Sequence, residues 1–394
     1  MMAMRCKLFK SLSAIGFTVF LAFLFYSESA SGNSLENGFY QVIKVFEKSY
    51  GATNFDGLLK KEGFSGALKK GGNNVPRSLA ATALVHAFVF RKEGNQKDLE
   101  KATYLINVLI EKYPFWTASL KPPNISFNLA PTTAYNLGLA SWLIWNDLEI
   151  TVRRAVKDML IKESNFMLLR TPASGFVNDT KADENGVVPP LLSLTAILFP
   201  NEENSQKWEA HSMCYAYHSI TTTKDIPYCD VITQTAYDNF LMDNHGIHPH
   251  PLYMAAPLVL FADASLVYLT ADREVPWELK HNAVSLWNRL KTFVNKDFTW
   301  NTHNSWNPTG LGREISAVTY IAVIMGVDTN MEIDLVNQKI RSQGFFVEKK
   351  VGVVKSISTY DENFFNNALV AKRYIVSFLL HEPTFLTKPP LSMD

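Results

Sequence analysis

The chain has 394 residues, of which 47% are hydrophobic and 19% are charged. This composition excludes a largely disordered chain, and the length suits one large domain or two ordinary ones. The formal net charge is +1, from 38 basic and 37 acidic residues. A basic surface that binds nucleic acid or anionic membranes is therefore not expected.

The first 32 residues have the order of a secretory signal peptide. Arg5, Lys7 and Lys10 precede an apolar run over 14–26, and small residues follow this run up to Gly32. The run is shorter than the roughly 20 apolar residues of a membrane span. We predict a secreted protein that loses residues 1–32, with membrane attachment only if this segment stays uncleaved.

Helical periodicity dominates the rest of the chain. Apolar side chains recur three and four residues apart, and some segments are apolar on most sides, as buried helices are. The predicted helices are, in chain order, 77–90, 102–110, 132–146, 152–160, 191–199, 204–218, 257–270, 283–290, 314–325, 331–341 and 363–380. One small β-hairpin is predicted within 344–358.

Helices that are apolar all round, beside amphipathic ones, indicate two layers, of which the inner layer is buried on both faces. An α/α toroid has this arrangement, and so does a curved α-solenoid. No repeat of fixed period is visible, which favours the toroid. We predict a single domain over 33–394 with an all-α fold, an α/α toroid whose double ring is complete or incomplete, and at most one small β-hairpin.

Two cysteines, Cys214 and Cys229, remain after the predicted signal peptide. In a secreted chain they can form one disulfide, and two buried free thiols are an equal alternative. Asn124 and Asn178 begin triplets that fit the N-glycosylation pattern, which predicts a glycoprotein if the chain follows a eukaryotic secretory route.

The strongest candidate site is the segment 243–253. Three of the nine histidines, His245, His248 and His250, lie here beside Asn244 and Tyr253. An amide and an imidazole can hydrogen-bond a substrate carboxylate, which acidifies the adjacent C–H group. A tyrosine or histidine can then remove that proton and protonate the leaving oxygen.

A metal site is the alternative for this segment. His248 and His250, with His245 or Asp243, could supply nitrogen and oxygen ligands. The spacing matches no recognised zinc signature. We therefore expect no cofactor, and a metal at His248 and His250 remains the second interpretation.

The triplet Asn244-His245-Gly246 resembles the Asn-His-Gly element of the α/α-toroid polysaccharide lyases, the heparinase and alginate lyase group. The resemblance covers this loop and the next helix, and more loosely the helical organisation over 38–341. It implies β-elimination on an acidic, uronate-containing polysaccharide, with Asn244 and His245 holding the carboxylate. Members of the group have a catalytic tyrosine well downstream, but no tyrosine occurs between Tyr268 and Tyr320.

Tyr253, His248, His250 or His303 is therefore expected to move the proton, unless elimination does not occur. If it does not occur, the chain would be a carbohydrate-binding protein on the same scaffold. A third possibility is a glycoside hydrolase that uses a pair of carboxylates, Asp183 or Glu184 opposite Asp243. The expected partner in each case is an acidic polysaccharide or another glycan.

Two further segments supply candidate substrate-binding residues. Indole faces stack on sugar rings and guanidinium groups bind carboxylates, which suggests Trp300, His303, Trp306 and Arg313. The segment 178–186 is typical of a helix N-terminus. In the alternative interpretation, its Glu184 and Asn185 lie at the mouth of the ring and face the substrate.

Overall fold

The structure is a computed structural model that describes residues 35–44, 46–47, 63–64, 74–117, 129–294, 313–328, 330–332, 334–335 and 362–386. The predicted signal peptide, the predicted hairpin and the first glycosylation triplet lie outside these residues. Within them there is no β-strand, and the two isolated β-bridges lie in turns. The prediction of an all-α fold is confirmed.

The α-helices are numbered here in chain order from residue 74, and residues 35–44 are also helical. They are α1 (Asn74–Glu93), α2 (Gln96–Glu111), α3 (Tyr113–Trp116), α4 (Leu129–Leu143), α5 (Ile150–Met167), α6 (Ala182–Gly186), α7 (Val188–Leu198), α8 (Ser205–Tyr217), α9 (Pro251–Thr270), α10 (Ala283–Leu290), α11 (Arg313–Val323) and α12 (Glu362–His381). Short 3-10 segments lie at Trp145–Asp147, Trp277–Leu279, Lys291–Phe293 and Pro383–Phe385.

Helix α9 begins six residues earlier than the sequence indicated. Pro251 occupies the first helical position, where a missing N–H costs nothing. Pro257, which we expected to start the helix, lies inside it. The predicted helix over 331–341 is described only as far as residue 335.

Six helices pack on one another in a closed cycle. Helix α1 packs on α4, α4 on α7, α7 on α9, α9 on α11 and α11 on α12, and α12 packs on α1 again. Every residue of α7 is buried, as are seventeen of the twenty residues of α9. Such helices are covered on all sides, so they form an inner layer.

A second set of helices covers this cycle from outside. Helix α2 packs on α1, α5 on α4 and α7, α8 on α7, and α10 on α9. Only five of the sixteen residues of α2 and six of the eighteen of α5 are buried. Helices α2 and α5 thus bury one stripe and leave the rest partly or fully exposed to solvent, which is the amphipathic pattern predicted for an outer layer.

Among the described residues, one helix, α9, is long and apolar enough to cross a membrane. Of its most apolar window, 83% is buried against other parts of the protein. The core helix of a globular domain has the same length and composition, and the neighbours of α9 in the cycle account for its apolar surface.

A buried ion pair joins two inner helices. Lys372 of α12 bonds through Nζ to the Oδ2 atom of Asp263 in α9, and the two side chains are 5% and 2% exposed. Burial raises the pKa of Asp263 and lowers that of Lys372, and each charge opposes the shift of the other. The ammonium group also lies 5.3 Å from the centre of the Tyr135 ring.

Replacement Lys372→Met should lower the free energy of unfolding by about 3–5 kcal/mol, because it leaves the Asp263 carboxylate buried without its cation. The double variant Lys372→Met/Asp263→Leu should recover most of this loss, since neither charge is then left alone. Denaturant unfolding of both variants and the wild type measures the difference. A single variant as stable as the wild type would contradict the expected role of the pair.

The two cysteines are joined in a disulfide. Cys214 lies in α8, Cys229 follows 15 residues later, and their Cα atoms are 6.0 Å apart. Of the two alternatives left open by the sequence, the disulfide is the one that the structure contains.

Replacement of both cysteines by alanine should lower the free energy of unfolding by about 3 kcal/mol, because a closed loop of about 15 residues restricts the unfolded chain by that amount. Denaturant unfolding measures the loss. Reduction of the wild type should produce a loss of similar size, and an unchanged stability in both experiments would show that the cross-link contributes nothing.

Candidate functional site

Asp243 anchors the predicted site segment. Its side chain is buried, and Oδ2 accepts hydrogen bonds from the Tyr237 hydroxyl at 2.8 Å and from the Asn178 backbone N–H at 3.4 Å. Oδ1 is bonded to Nδ1 of His248. Both oxygens of this carboxylate therefore bond to the loop and its surroundings. The glycoside hydrolase alternative requires a carboxylate that can act on a substrate, and Asp243 is not free to do so in this arrangement.

A tight turn presents His245 to solvent. The backbone N–H of Asn244 donates to the Ile247 carbonyl at 3.2 Å, and the backbone N–H of Ile247 donates to the Asn244 carbonyl at 2.9 Å. The two central residues, His245 and Gly246, have φ values of 50° and 72°, as in a type I′ turn. Glycine adopts this conformation freely, whereas His245 is held in it by the turn and by the anchored loop below.

His245 and Tyr253 form a hydrogen-bonded pair. Nε2 of His245 lies 2.8 Å from the Tyr253 hydroxyl, and the two rings meet edge to face with their centres 5.5 Å apart. Tyr253 is the third residue of α9, so the first turn of an inner helix fixes its position. Two residues that the sequence assigned to proton transfer or carboxylate binding are thus in direct contact.

Arg313, the first residue of α11, also lies beside Tyr253. Its guanidinium carbon is 5.7 Å from the centre of the Tyr253 ring, and Nη1 donates to the Leu252 carbonyl at 2.7 Å. Burial raises the pKa of Tyr253, the Asp183 carboxylate adds to this effect, and the Arg313 cation opposes it. The phenol therefore keeps its proton at neutral pH.

Asp183 belongs to the same group of side chains, although the sequence analysis considered it only for the hydrolase role. It lies in the first turn of α6, which agrees with the helix N-terminus predicted there. Burial raises its pKa to about 6, against the opposing effect of the Arg313 cation. This carboxyl group therefore changes charge close to neutral pH.

Asn244 is less accessible than predicted. Its side chain is 4% exposed, and Nδ2 donates to Oδ1 of Asp179 at 3.2 Å. Asp179 in turn accepts from Lys181 at 2.7 Å, and Lys181 donates to Glu184 at 2.7 Å. In this arrangement Asn244 holds the turn, and Glu184 belongs to a partly exposed ion pair at the surface.

Asn185 is buried and its amide is used within the fold. Oδ1 accepts from the Ala173 N–H at 2.8 Å, and Nδ2 donates to the carbonyls of Ala173 and His218, both at 2.9 Å. Both N–H groups of the Asn185 amide are therefore used within the protein, and neither is free to bind a substrate as predicted.

The two remaining histidines of the loop have different surroundings. His248 has an exposed ring that packs edge-on against Tyr237, whereas His250 is 2% exposed and packs edge-on against Tyr253 at 4.8 Å. Burial lowers the pKa of His250 to about 4, and the positive charge of Arg313 and of His245 contributes. His250 is therefore neutral at pH 7.

Within the described ranges, two groups of three side chains could hold a metal ion, and neither includes His248 or His250. The first is Cys214, His218 and Cys229, whose sulfur atoms are joined in the disulfide. The second is Glu47, His86 and Asp98, far along the chain from the predicted site. The metal interpretation of the histidine-rich loop remains a prediction.

Three of the predicted sugar-binding residues, Trp300, His303 and Trp306, lie outside the described residues.

An exposed aromatic group was not predicted from the sequence. Trp277 is 54% exposed and meets Tyr217 and Tyr228 edge-on, at 5.8 and 5.7 Å. These residues come from separate segments, so no sequence pattern could have indicated the group.

A cavity of about 80 Å³ lies inside the cycle of helices and shares two residues with this site, Asp183 and Arg313. The loop with His245 and Tyr253 is thus connected, through Arg313, to the charged centre of the fold.

No protein family, curated protein or solved structure matches this chain. The resemblance of the loop to that of the toroid lyases remains a prediction.

His250 should make the protein sensitive to acid. In the unfolded chain a histidine takes up its proton near pH 6.5, whereas the folded state resists this until about pH 4. Unfolding therefore takes up a proton between these values, and stability falls as the pH falls through this window. Replacement His250→Asn should remove up to about 1.4 kcal/mol per pH unit from that slope.

Urea unfolding of the wild type and His250→Asn at several pH values from 4.5 to 7.5 provides the measurement. The two stability curves should run parallel above pH 7 and diverge below about pH 6.5. Curves that stay parallel over the whole range would show that His250 is protonated equally easily in the folded and unfolded states.

Proposed function

We propose that this protein is a secreted enzyme with an α/α-toroid fold that cleaves an acidic, uronate-containing polysaccharide by β-elimination. The closed cycle of six inner helices with amphipathic helices around it supports the toroid. Secretion rests on the signal-peptide pattern of residues 1–32.

The His245–Tyr253 pair is the observation that carries the proposed reaction. β-Elimination requires a base for the proton next to the carboxylate and an acid for the leaving oxygen. An imidazole and a phenol joined at 2.8 Å supply both. The exposed turn makes the imidazole accessible to a polymer, and α9 fixes the phenol beside it.

The raised pKa of Tyr253 supports one of the two possible assignments of roles. A phenol that keeps its proton at neutral pH is suited to be the acid, so His245 is the base. In the reaction, His245 accepts the C–H proton while a carbon–carbon double bond forms and the glycosidic C–O bond breaks. The leaving oxygen takes the hydroxyl proton of Tyr253.

The pair can then restore itself. The imidazolium of His245 returns a proton to the Tyr253 phenolate along the hydrogen bond that already joins them. Arg313 contributes a cation that offsets the substrate carboxylate, whose electron density increases as the C–H bond breaks. Asn244 contributes by holding the turn that presents His245, and His250 packs against the Tyr253 ring.

Incubation with alginate, heparin-type and pectic polymers, followed by the ultraviolet absorbance of unsaturated uronate, tests the proposal. The variants His245→Ala and Tyr253→Phe should each lower kcat by about 10²–10⁴-fold, the usual contribution of a positioned acid or base. The double variant should lose little more than either single variant, because residues that act as a unit are not additive.

Tyr104→Phe on the outer helix α2 is the matched control, since it also removes a phenolic hydroxyl and should leave the rate unchanged. Absence of product from every polymer would contradict the proposal, as would a Tyr253→Phe variant that turns over at the wild-type rate. Glycan binding without turnover would instead support the carbohydrate-binding alternative.

Saturated reducing ends without the chromophore would support the hydrolase alternative. The one observation that favours this alternative is the raised pKa of Asp183, about 6, which would keep a carboxylic acid partly protonated near neutral pH.

A further inference from the structure

The cavity inside the cycle is lined by side chains from five of the six inner helices. Its polar lining includes Arg77 of α1, Asn136 of α4, Asp263 of α9, Arg313 of α11, and Lys372 and Arg373 of α12. A volume of about 80 Å³ is several times the roughly 10–15 Å³ that a single buried water requires. The cavity therefore has room for a small ligand.

Positive charge exceeds negative charge around this cavity. Four cations line it, Arg77, Arg313, Lys372 and Arg373, against two carboxylates, Asp183 and Asp263. The pair Lys372–Asp263 is internally neutral, and Asp183 interacts with Arg313. Glu314, which is not among the lining residues, offsets part of the remaining positive charge at Arg373.

Arg373 is one of the cations affected by this excess of positive charge. Burial lowers its pKa to about 9, and repulsion from Arg313 and Arg77 contributes to this shift. Burial and the two neighbouring cations therefore both disfavour the charged form of this guanidinium group. An anion in the cavity would supply negative charge that favours this form.

Hydrogen-bonding groups in the cavity also lack partners. Asn136 is fully buried, and in the part of the chain that the structure describes neither atom of its amide has a hydrogen-bond partner. The same holds for Nη1 of Arg373, a side chain that is 9% exposed. Buried polar groups are nearly always bonded, so two donors facing one cavity indicate a ligand that accepts from both.

The side chains that line the cavity differ in their exposure to solvent. Arg77, Asp183 and Arg313 are partly exposed, whereas Asn136 and Arg373 are buried.

We propose that this cavity is an anion site that binds a small oxyanion, with Arg373 and Asn136 as donors. The oxyanion is either a free ion such as sulfate or the carboxylate of an acidic sugar, because both present several acceptor oxygens to a guanidinium and an amide. The site goes beyond the proposed elimination reaction and does not depend on it.

Isothermal titration calorimetry of the full chain, at constant ionic strength set with sodium chloride, tests the site with two probes, sodium sulfate and sodium glucuronate. At least one probe should show saturable binding with a Kd on the order of 1 mM or tighter. Arg373→Met and Asn136→Leu should each weaken binding at least tenfold. Arg154→Met, which removes an exposed arginine of α5, should leave it unchanged.

Binding of sulfate alone would assign the site to a free ion, binding of glucuronate alone would assign it to an acidic sugar, and binding of both supports the shared chemistry. Absence of saturable binding for both probes would overturn the proposal, and this measurement needs only the wild type. Wild-type affinity in Asn136→Leu and in Arg373→Met would also overturn it. A chain that binds sulfate but releases no unsaturated uronate would support the anion site and contradict the proposed enzyme.

Discussion

Helices that are apolar on every side are stable in water only when other helices cover them from all directions, and this constraint governs the whole structure. The burial of every residue of α7 requires neighbours in the cycle and a further helix outside. Closing the cycle meets this need but creates a centre where several helices face one another. That centre contains charged side chains beside apolar ones, and a buried lysine and aspartate pair within it.

The cycle of inner helices and the loop over 243–253 position different residues of the candidate site. Tyr253 and Arg313 occupy the first turns of two neighbouring inner helices, so packing in the cycle sets the distance between them. His245 is placed by a turn that Asp243 ties to the loop carrying Asn178 and Thr180. Because the anchoring carboxylate is buried and accepts several hydrogen bonds, the exposed imidazole has a defined position although it lies at a loop tip.

Much of the fold was predictable because hydrophobic periodicity reports directly on which helix faces are buried. The all-α class and most helices follow from this pattern, and the sequence also identified the loop that contains the His245–Tyr253 pair. Individual roles were less predictable. Asparagine and aspartate often bind substrates, yet the side chains of Asn185 and Asp243 form their hydrogen bonds with other groups of the protein. Sequence spacing cannot show whether a polar side chain bonds to a substrate or to a neighbouring loop.

The sequence by itself determined the helical class, the two kinds of helix and the histidine-rich loop, because these depend on residues that are close along the chain. Only the tertiary structure decided that Cys214 and Cys229 are joined, that Arg313 lies beside Tyr253, and that four cations surround one cavity. These features bring together residues from distant segments. Their positions follow from the order in which the helices pack, and local patterns carry no record of that order.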